Sequence, residues 1–173
     1  METDFELSKL TWCVWGNSRI KVLALGSCEG DIKIWNVNDK KVITCGTLVG
    51  HCDVILSFDQ SCHLLASSSM DKTVRIWSTI DGTALHTLTN HNSLISCLKF
   101  SPNGESVATS GHDGCIYFWS KDGRLLHAYK SNSKIYNCSW NTRGDQLATS
   151  GADGSVSIIE LVGSQRINPK LLV

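Results

Sequence analysis

His112, Asp113 and Cys115 set an imidazole, a carboxylate and a thiol within four residues of one another, the groups a Cys–His nucleophile would use. Such a nucleophile needs its base aimed by packing from elsewhere in the fold, which adjacency in sequence does not provide. The register of the chain argues against it too. Acids stand at equivalent places in small polar turns, as Glu29, Asp71, Asp113 and Asp153. Asp113 closes its turn, Cys115 begins a strand, and no separate nucleophile position is left. The chain is therefore expected to be no enzyme, with no catalytic residues, no cofactor-binding residues and no cofactor.

The cysteines lie at positions 13, 28, 45, 52, 62, 97, 115 and 138, with no C-x-x-C pair and no paired metal-ligand spacing. Most fall in apolar runs such as Leu94-Ile-Ser-Cys97-Leu98, where a thiol packs as a small hydrophobe in a reducing compartment. No metal site is expected. Lys plus Arg and Asp plus Glu both count 16, and no basic run stands out, so direct nucleic-acid binding is not expected. The acidic start, Met1-Glu-Thr-Asp-Phe-Glu6, has neither the basic nor the apolar region of a signal peptide. The apolar stretches fall far short of a membrane span. A soluble, intracellular chain is the expectation.

The elements that must hold these residues show in the repeat. Leu65-Ala-Ser-Ser-Ser-Met-Asp71-Lys-Thr-Val-Arg-Ile-Trp77 aligns with Val107-Ala-Thr-Ser-Gly-His-Asp113-Gly-Cys-Ile-Tyr-Phe-Trp119 and Leu147-Ala-Thr-Ser-Gly-Ala-Asp153-Gly-Ser-Val-Ser-Ile-Ile159. Leu23-Ala-Leu-Gly-Ser-Cys-Glu29-Gly-Asp-Ile-Lys-Ile-Trp35 is a fourth copy. Trp35 to Trp77 is 42 residues, Trp77 to Trp119 is 42, and Trp119 to Ile159 is 40. A period of 40–45 with strand content is the signature of WD-type propeller blades. Stretches such as Val74-Arg-Ile-Trp77 alternate and are rich in β-branched and aromatic residues. Asp-Gly between two such runs marks a hairpin, because both residues tolerate positive φ.

The fold class is all-β, a partial WD-type β-propeller of about four antiparallel four-stranded blades, the last incomplete. One WD-repeat domain over 1–173 has blades at about 10–48, 53–89, 94–130 and 134–161, with no obvious outer strand in the last and a tail over 162–173. Seven blades of that length need roughly 290 residues. An open half-ring exposes apolar faces on the order of several hundred Å². Three arrangements answer this: a fragment with missing blades (the favoured one), self-association of two copies, or a four-bladed ring. In the closed case Asp4-Phe-Glu-Leu7 would add an outer strand to unit four.

Gly50-His51 and Asn90-His91 precede the first strands of units two and three, His51 standing 20 residues before Asp71 and His91 22 before Asp113. This pattern resembles the WD-repeat family. The resemblance implies one buried hydrogen-bonded set per blade: His51, Asp71 and Trp77 with Ser67, and His91, Asp113 and Trp119 with Thr109. Trp35 and Asp153 hold the matching places in the outer units. These are structural roles, since a buried His and Asp must satisfy each other. Unit one has Glu29 and no His; unit four has no His and Ile159 in the Trp position. Unit two reads as two residues short between His51 and Phe58, which predicts a bulged or mispaired inner strand.

His86-Thr-Leu-Thr-Asn-His91, Leu98-Lys-Phe-Ser-Pro-Asn-Gly104, Leu125-Leu-His-Ala-Tyr129, Tyr136-Asn-Cys-Ser-Trp-Asn-Thr-Arg-Gly-Asp145 and Asp153-Gly-Ser-Val-Ser157 resemble the last two blades of the transducin β-like (F-box-like/WD-repeat) proteins. This covers about residues 84–161. It implies a non-catalytic scaffold in a nuclear corepressor complex, with corepressor and histone deacetylase subunits as partners. The alternative is a generic WD-repeat adaptor of a cytoplasmic complex serving trafficking, the ribosome or a ubiquitin ligase. WD propellers often bind peptides on the face of the turns between second and third strands. There Cys28, Met70, His112 and Ala152 precede the acids, and Met70 and His112 have the side chains to form a partner-binding face.

Overall fold

The computed structural model describes residues 7–15, 20–38, 41–61, 63–162 and 166–172. Among them, strands form four antiparallel four-stranded sheets, each a meander in chain order. The first holds β1 (Leu7–Trp15), β2 (Ile20–Ser27), β3 (Ile32–Asn38) and β4 (Lys41–Leu48). The second holds β5 (Ile55–Ser61), β6 (Leu64–Ser69), β7 (Val74–Ser78) and β8 (Ala84–Leu88). The third holds β9 (Ile95–Phe100), β10 (Ser106–Gly111), β11 (Cys115–Ser120) and β12 (Leu125–Lys130). The fourth holds β13 (Ile135–Trp140), β14 (Gln146–Gly151), β15 (Val156–Val162) and β16 (Arg166–Leu172).

Composition explains the layering. β6 and β10 are built largely of Ala, Ser, Thr and Gly and are buried along almost their whole length. Small side chains let neighbouring sheets approach on both faces. β7 and β11 carry the larger apolar groups, while β8 and β12 are mostly exposed, as outer strands should be.

Three apolar clusters lie between successive sheets. Ala24, Ile32 and Ile34 of the first sheet meet Ile55, Phe58, Leu65 and Trp77 of the second. Ala66, Val74 and Ile76 then meet Ile95, Leu98, Val107 and Trp119, and Cys97, Ala108, Ile116 and Phe118 meet Ile135, Cys138, Leu147 and Ile159. Each sheet thus offers its Ala and β-branched face forward and receives the next sheet's Leu, Trp or Ile. The fourth sheet's forward face has no such cover among the described residues. Ala148 is exposed and Val156 is 44% exposed, whereas Val74 and Ile116 at the same register are 0%. This is a partial propeller of four blades.

The fourth sheet departs from the sequence reading of a blade without an outer strand and a tail over 162–173. β15 runs to Val162, and β16 pairs with it along its length, Ile159 opposite Pro169. Pro169 hid this strand, yet on an outer edge its missing N–H breaks no ladder. Leu7 pairs with Ser27 inside the first sheet, so it is not the closing strand of unit four; residues 4–6 lie outside the described residues.

The shortened second unit is resolved differently from the expectation. Its inner strand has a register shift between Ile55 and Ser57, but the same shift recurs between Ile135 and Asn137 and where Ile95 and Cys97 face Gly111 and Ser110. The bulge is therefore common to the repeat. Phe58 pairs with Ser67 as Leu98 pairs with Thr109, and Gln60 pairs with Leu65 where Phe100 pairs with Val107. The two absent residues come out of the β5–β6 turn.

Candidate functional site

Each acid-bearing turn is fixed by its own backbone chemistry. Gly30, Gly114 and Gly154 follow the acids with φ of 97°, 72° and 82°, and Lys72 takes the same place at φ 68°. A side chain in that left-handed region costs about 1–2 kcal/mol, so the turn's other bonds hold it there. Asp71 Oδ1 accepts from Thr73 N at 2.9 Å and from Thr73 Oγ1 at 2.7 Å, closing the turn around Lys72.

From the turn the second sheet's network runs inward. His51 Nδ1 lies 2.8 Å from Asp71 Oδ2, His51 Nε2 lies 2.8 Å from Ser67 Oγ, and Trp77 Nε1 donates to Ser67 Oγ at 2.8 Å. The third sheet repeats it: His91 Nδ1 to Asp113 Oδ2 at 2.9 Å, His91 Nε2 to Thr109 Oγ1 at 3.0 Å, and Trp119 Nε1 donating to Thr109 Oγ1 at 3.0 Å. One proton arrangement satisfies every member. The imidazole is neutral with its proton on Nδ1 toward the carboxylate, Nε2 accepts from the hydroxyl, and the hydroxyl oxygen accepts from the indole. Asp71 and Asp113 also accept from Cys52 N and Asn92 N, at 3.2 and 3.0 Å, which ties each carboxylate to the segment entering the inner strand.

Electrostatics fit this neutral form. Burial holds both His51 and His91 below the ordinary 6.5, opposed only in part by the adjacent carboxylates. Burial pushes Asp71 and Asp113 upward, but hydrogen bonds from Thr73 and His51, and from Cys115, Asn92 and His91, outweigh it and leave both below 3.8. Linkage follows with a definite sign. Below pH 6.5 the unfolded histidines bind protons that the folded ones refuse, so stability falls on acidification, with a slope approaching about 1.4 kcal/mol per pH unit for each histidine. A second loss begins below 3.8, where the unfolded carboxylates protonate first. Urea midpoints measured from pH 8 to pH 5 should drop across the first window, and a rise instead would mean that the folded histidines are charged.

The outer sheets lack the set for identifiable reasons. In the first sheet Leu25 stands at the register of Ser67, and Trp35 Nε1 is buried with no hydrogen-bond partner. In the fourth, Asp153 is exposed and serves its own turn, accepting from Ser155 N at 3.0 Å and Ser155 Oγ at 2.6 Å. The sequence did not single out Tyr117, which packs edge-on against His91 at 4.7 Å between centroids, or Arg75, 5.9 Å above the Trp77 ring. The alternation of β7 and β11 around Trp77 and Trp119 was the signal available for both.

On the turn face Met70 is 41% exposed. His112 lies edge-on to Tyr136 at 5.4 Å, and Tyr136 is 53% exposed. Tyr136, the bulge residue of β13, joins His112 in an aromatic pair that sequence spacing did not reveal. Cys28 and Ala152 stand at the same turn position. No group of three or more His, Cys, Asp or Glu residues capable of holding a metal occurs among the described residues. His112 does not reach Cys115 through any hydrogen bond; the Cys115 amide donates to Asp113 Oδ1 at 3.0 Å, which is turn closure.

Known proteins share this architecture. The family model for the WD domain, G-beta repeat, matches residues 43–78, 82–120 and 123–160. Apoptotic protease-activating factor 1 of Homo sapiens is 36% identical over 130 residues, covering 72% of this chain and 9% of that protein. F-box-like/WD repeat-containing protein TBL1Y of Homo sapiens is 31% identical over 99 residues, covering 57% of this chain and 19% of its own length. A chain in a solved structure described as the crystal structure of the mitotic checkpoint complex superposes with a TM-score of 0.79 at 25% identity, covering 91% of this chain and 51% of that one. The chain thus spans a small part of the curated relatives it matches. With the repeat model matching more than half its residues and the turn networks in the register described, the chain belongs to the WD domain, G-beta repeat family.

Proposed function

We propose that this chain is a non-catalytic protein-binding scaffold, a WD-repeat adaptor segment that holds other proteins together in a complex. The observation that carries this reading is where the reactive groups are used. His51, Asp71, His91 and Asp113 are each consumed in hydrogen bonds within one sheet. The turn face offers a partner Met70 and the His112–Tyr136 pair. An exposed thioether and aromatic rings are adaptable and strong contact groups. Relatives whose names point to different assemblies support a general adaptor over one particular complex.

The narrower reading, a nuclear corepressor subunit working with a histone deacetylase, draws on the resemblance over residues 84–161 and on the likeness to TBL1Y. It stands second, because a protein of another name aligns at higher identity over a longer span. Affinity purification of the tagged full chain with quantitative mass spectrometry tests both. The combined variant Met70→Ala, His112→Ala and Tyr136→Ala should lose its stoichiometric partners at least about tenfold with an unchanged melting temperature. Unchanged partner yields would reject this face. Deacetylase subunits in a nuclear fraction would favour the narrower reading, and a cytoplasmic assembly the general one.

A further inference from the structure

Cys97 of β9 and Cys138 of β13 lie 41 residues apart on the inner strands of adjacent sheets, with Cys138 Sγ donating to Cys97 Sγ at 3.3 Å. Asn137 Oδ1 sits 3.1 Å from Cys97 Sγ on the other side. Both thiols are buried in the cluster between the third and fourth sheets. A disulfide needs the sulfurs at about 2.05 Å, so an approach of roughly 1.2 Å separates two thiols from a bond. We propose that Cys97 and Cys138 form an oxidation site whose product is a reversible disulfide joining the third and fourth sheets.

The surroundings divide the roles. The hydrogen bond from Cys138 brings the Cys97 thiol down to about 7, outweighing its burial, and Lys99 helps. Cys138, as the donor and as a buried group, keeps its proton to well above the usual thiol range. The thiolate is the reactive form, so Cys97 is the nucleophile and Cys138 the resolving thiol. Cys97 is 4% exposed and Cys138 3%, so an oxidant reaches them through local opening between the third and fourth sheets. A small oxidant such as hydrogen peroxide needs the least such opening.

The steps balance with that oxidant. The Cys97 thiolate attacks one peroxide oxygen, the O–O bond breaks, and hydroxide leaves to take up a proton, giving a Cys97 sulfenic acid and water. The Cys138 sulfur then attacks the sulfenyl sulfur, the S–O bond breaks, and the departing hydroxide takes the Cys138 proton as water. Two thiols lose two electrons and one peroxide becomes two waters. The bond ties residues distant in sequence, so it restricts the unfolded chain and should raise the melting temperature by about 5–10 °C.

Stoichiometric hydrogen peroxide added to the full chain, followed by alkylation in denaturant and peptide mapping without reductant, tests the site. The expected result is one Cys97–Cys138 linked peptide pair, two fewer free thiols and the higher melting temperature, all reversed by dithiothreitol. Cys138→Ser, which keeps a donor beside Cys97 but cannot form the bond, should stop at a Cys97 sulfenic acid that dimedone traps. Full alkylation of Cys97 and Cys138 while exposed Cys52 carries the oxidation would overturn the proposal, as would a disulfide from either thiol to another partner. The wild-type map decides even if the variant fails to fold.

Discussion

Trp77→Ala is expected to destabilise the chain by about 3–5 kcal/mol, the largest single effect of any substitution considered for this molecule. Trp77 is fully buried in the cluster between the first and second sheets. It also closes the inner end of the His51 network through Ser67. Removing the ring therefore opens a cavity between two sheets and leaves Ser67 without its indole donor. Trp77→Phe separates the two losses: it keeps most of the packing, forfeits the hydrogen bond, and should cost about 1–2 kcal/mol. Trp35→Phe is the internal control, because Trp35 Nε1 has no partner to lose; its hydrogen-bond term is expected near zero. Denaturant midpoints at unchanged slope read these differences. Equal losses from the two Phe variants would show that the indole–hydroxyl bond adds nothing beyond area.

Asp113→Ala follows at about 2–4 kcal/mol. Its carboxylate accepts from His91 Nδ1, Asn92 N and Cys115 N at 2.9, 3.0 and 3.0 Å. Alanine strands three donors at once, one of them on a buried imidazole. Asp113→Asn should recover part of the loss, since its one oxygen can still accept. Asp153→Ala is expected to cost clearly less, because Asp153 is exposed and bonds its own turn and Ser133 with no histidine partner. A loss at Asp153 as large as at Asp113 would place the stabilisation in the turn and not in the histidine network. Thermal melts of the three variants at pH 7.5 supply the comparison.

The repeat was legible because its markers are chemically specific. A turn acid six residues before a tryptophan, recurring at about 42-residue spacing, fixes strand, turn and register together, and the sheets follow it. The histidine sets came from the resemblance to the WD-repeat family, since His51 and His91 stand 20 and 22 residues before their acids; the structure puts each four residues before Ile55 and Ile95, where β5 and β9 begin. What escaped was whatever depended on pairing and not on periodicity. β16 carries Pro169 and no alternating run strong enough to announce a strand, so only its ladder to β15 defines it. The two missing residues of the second unit were placed in the inner strand because Phe58 looked like the partner of Phe100; pairing shows that it answers to Leu98. Tyr136 and the Cys97–Cys138 contact were hidden too. Both arise from the approach of elements 24 to 41 residues apart, His112 to Tyr136 in one case and β9 to β13 in the other.

The three apolar clusters touch only successive sheets, and that arrangement limits how far a binding event can be felt. In a linear array with nearest-neighbour coupling, each interface passes on only part of the free energy delivered to the unit before it. A ligand seated at His112 and Tyr136 grips the third and fourth sheets directly, reaches the second through one interface, and reaches the first through two. On the proposed scaffold reading, two partners bound on adjacent turns of these four sheets would feel each other, and partners on the first and fourth sheets would be coupled only through the interfaces between them.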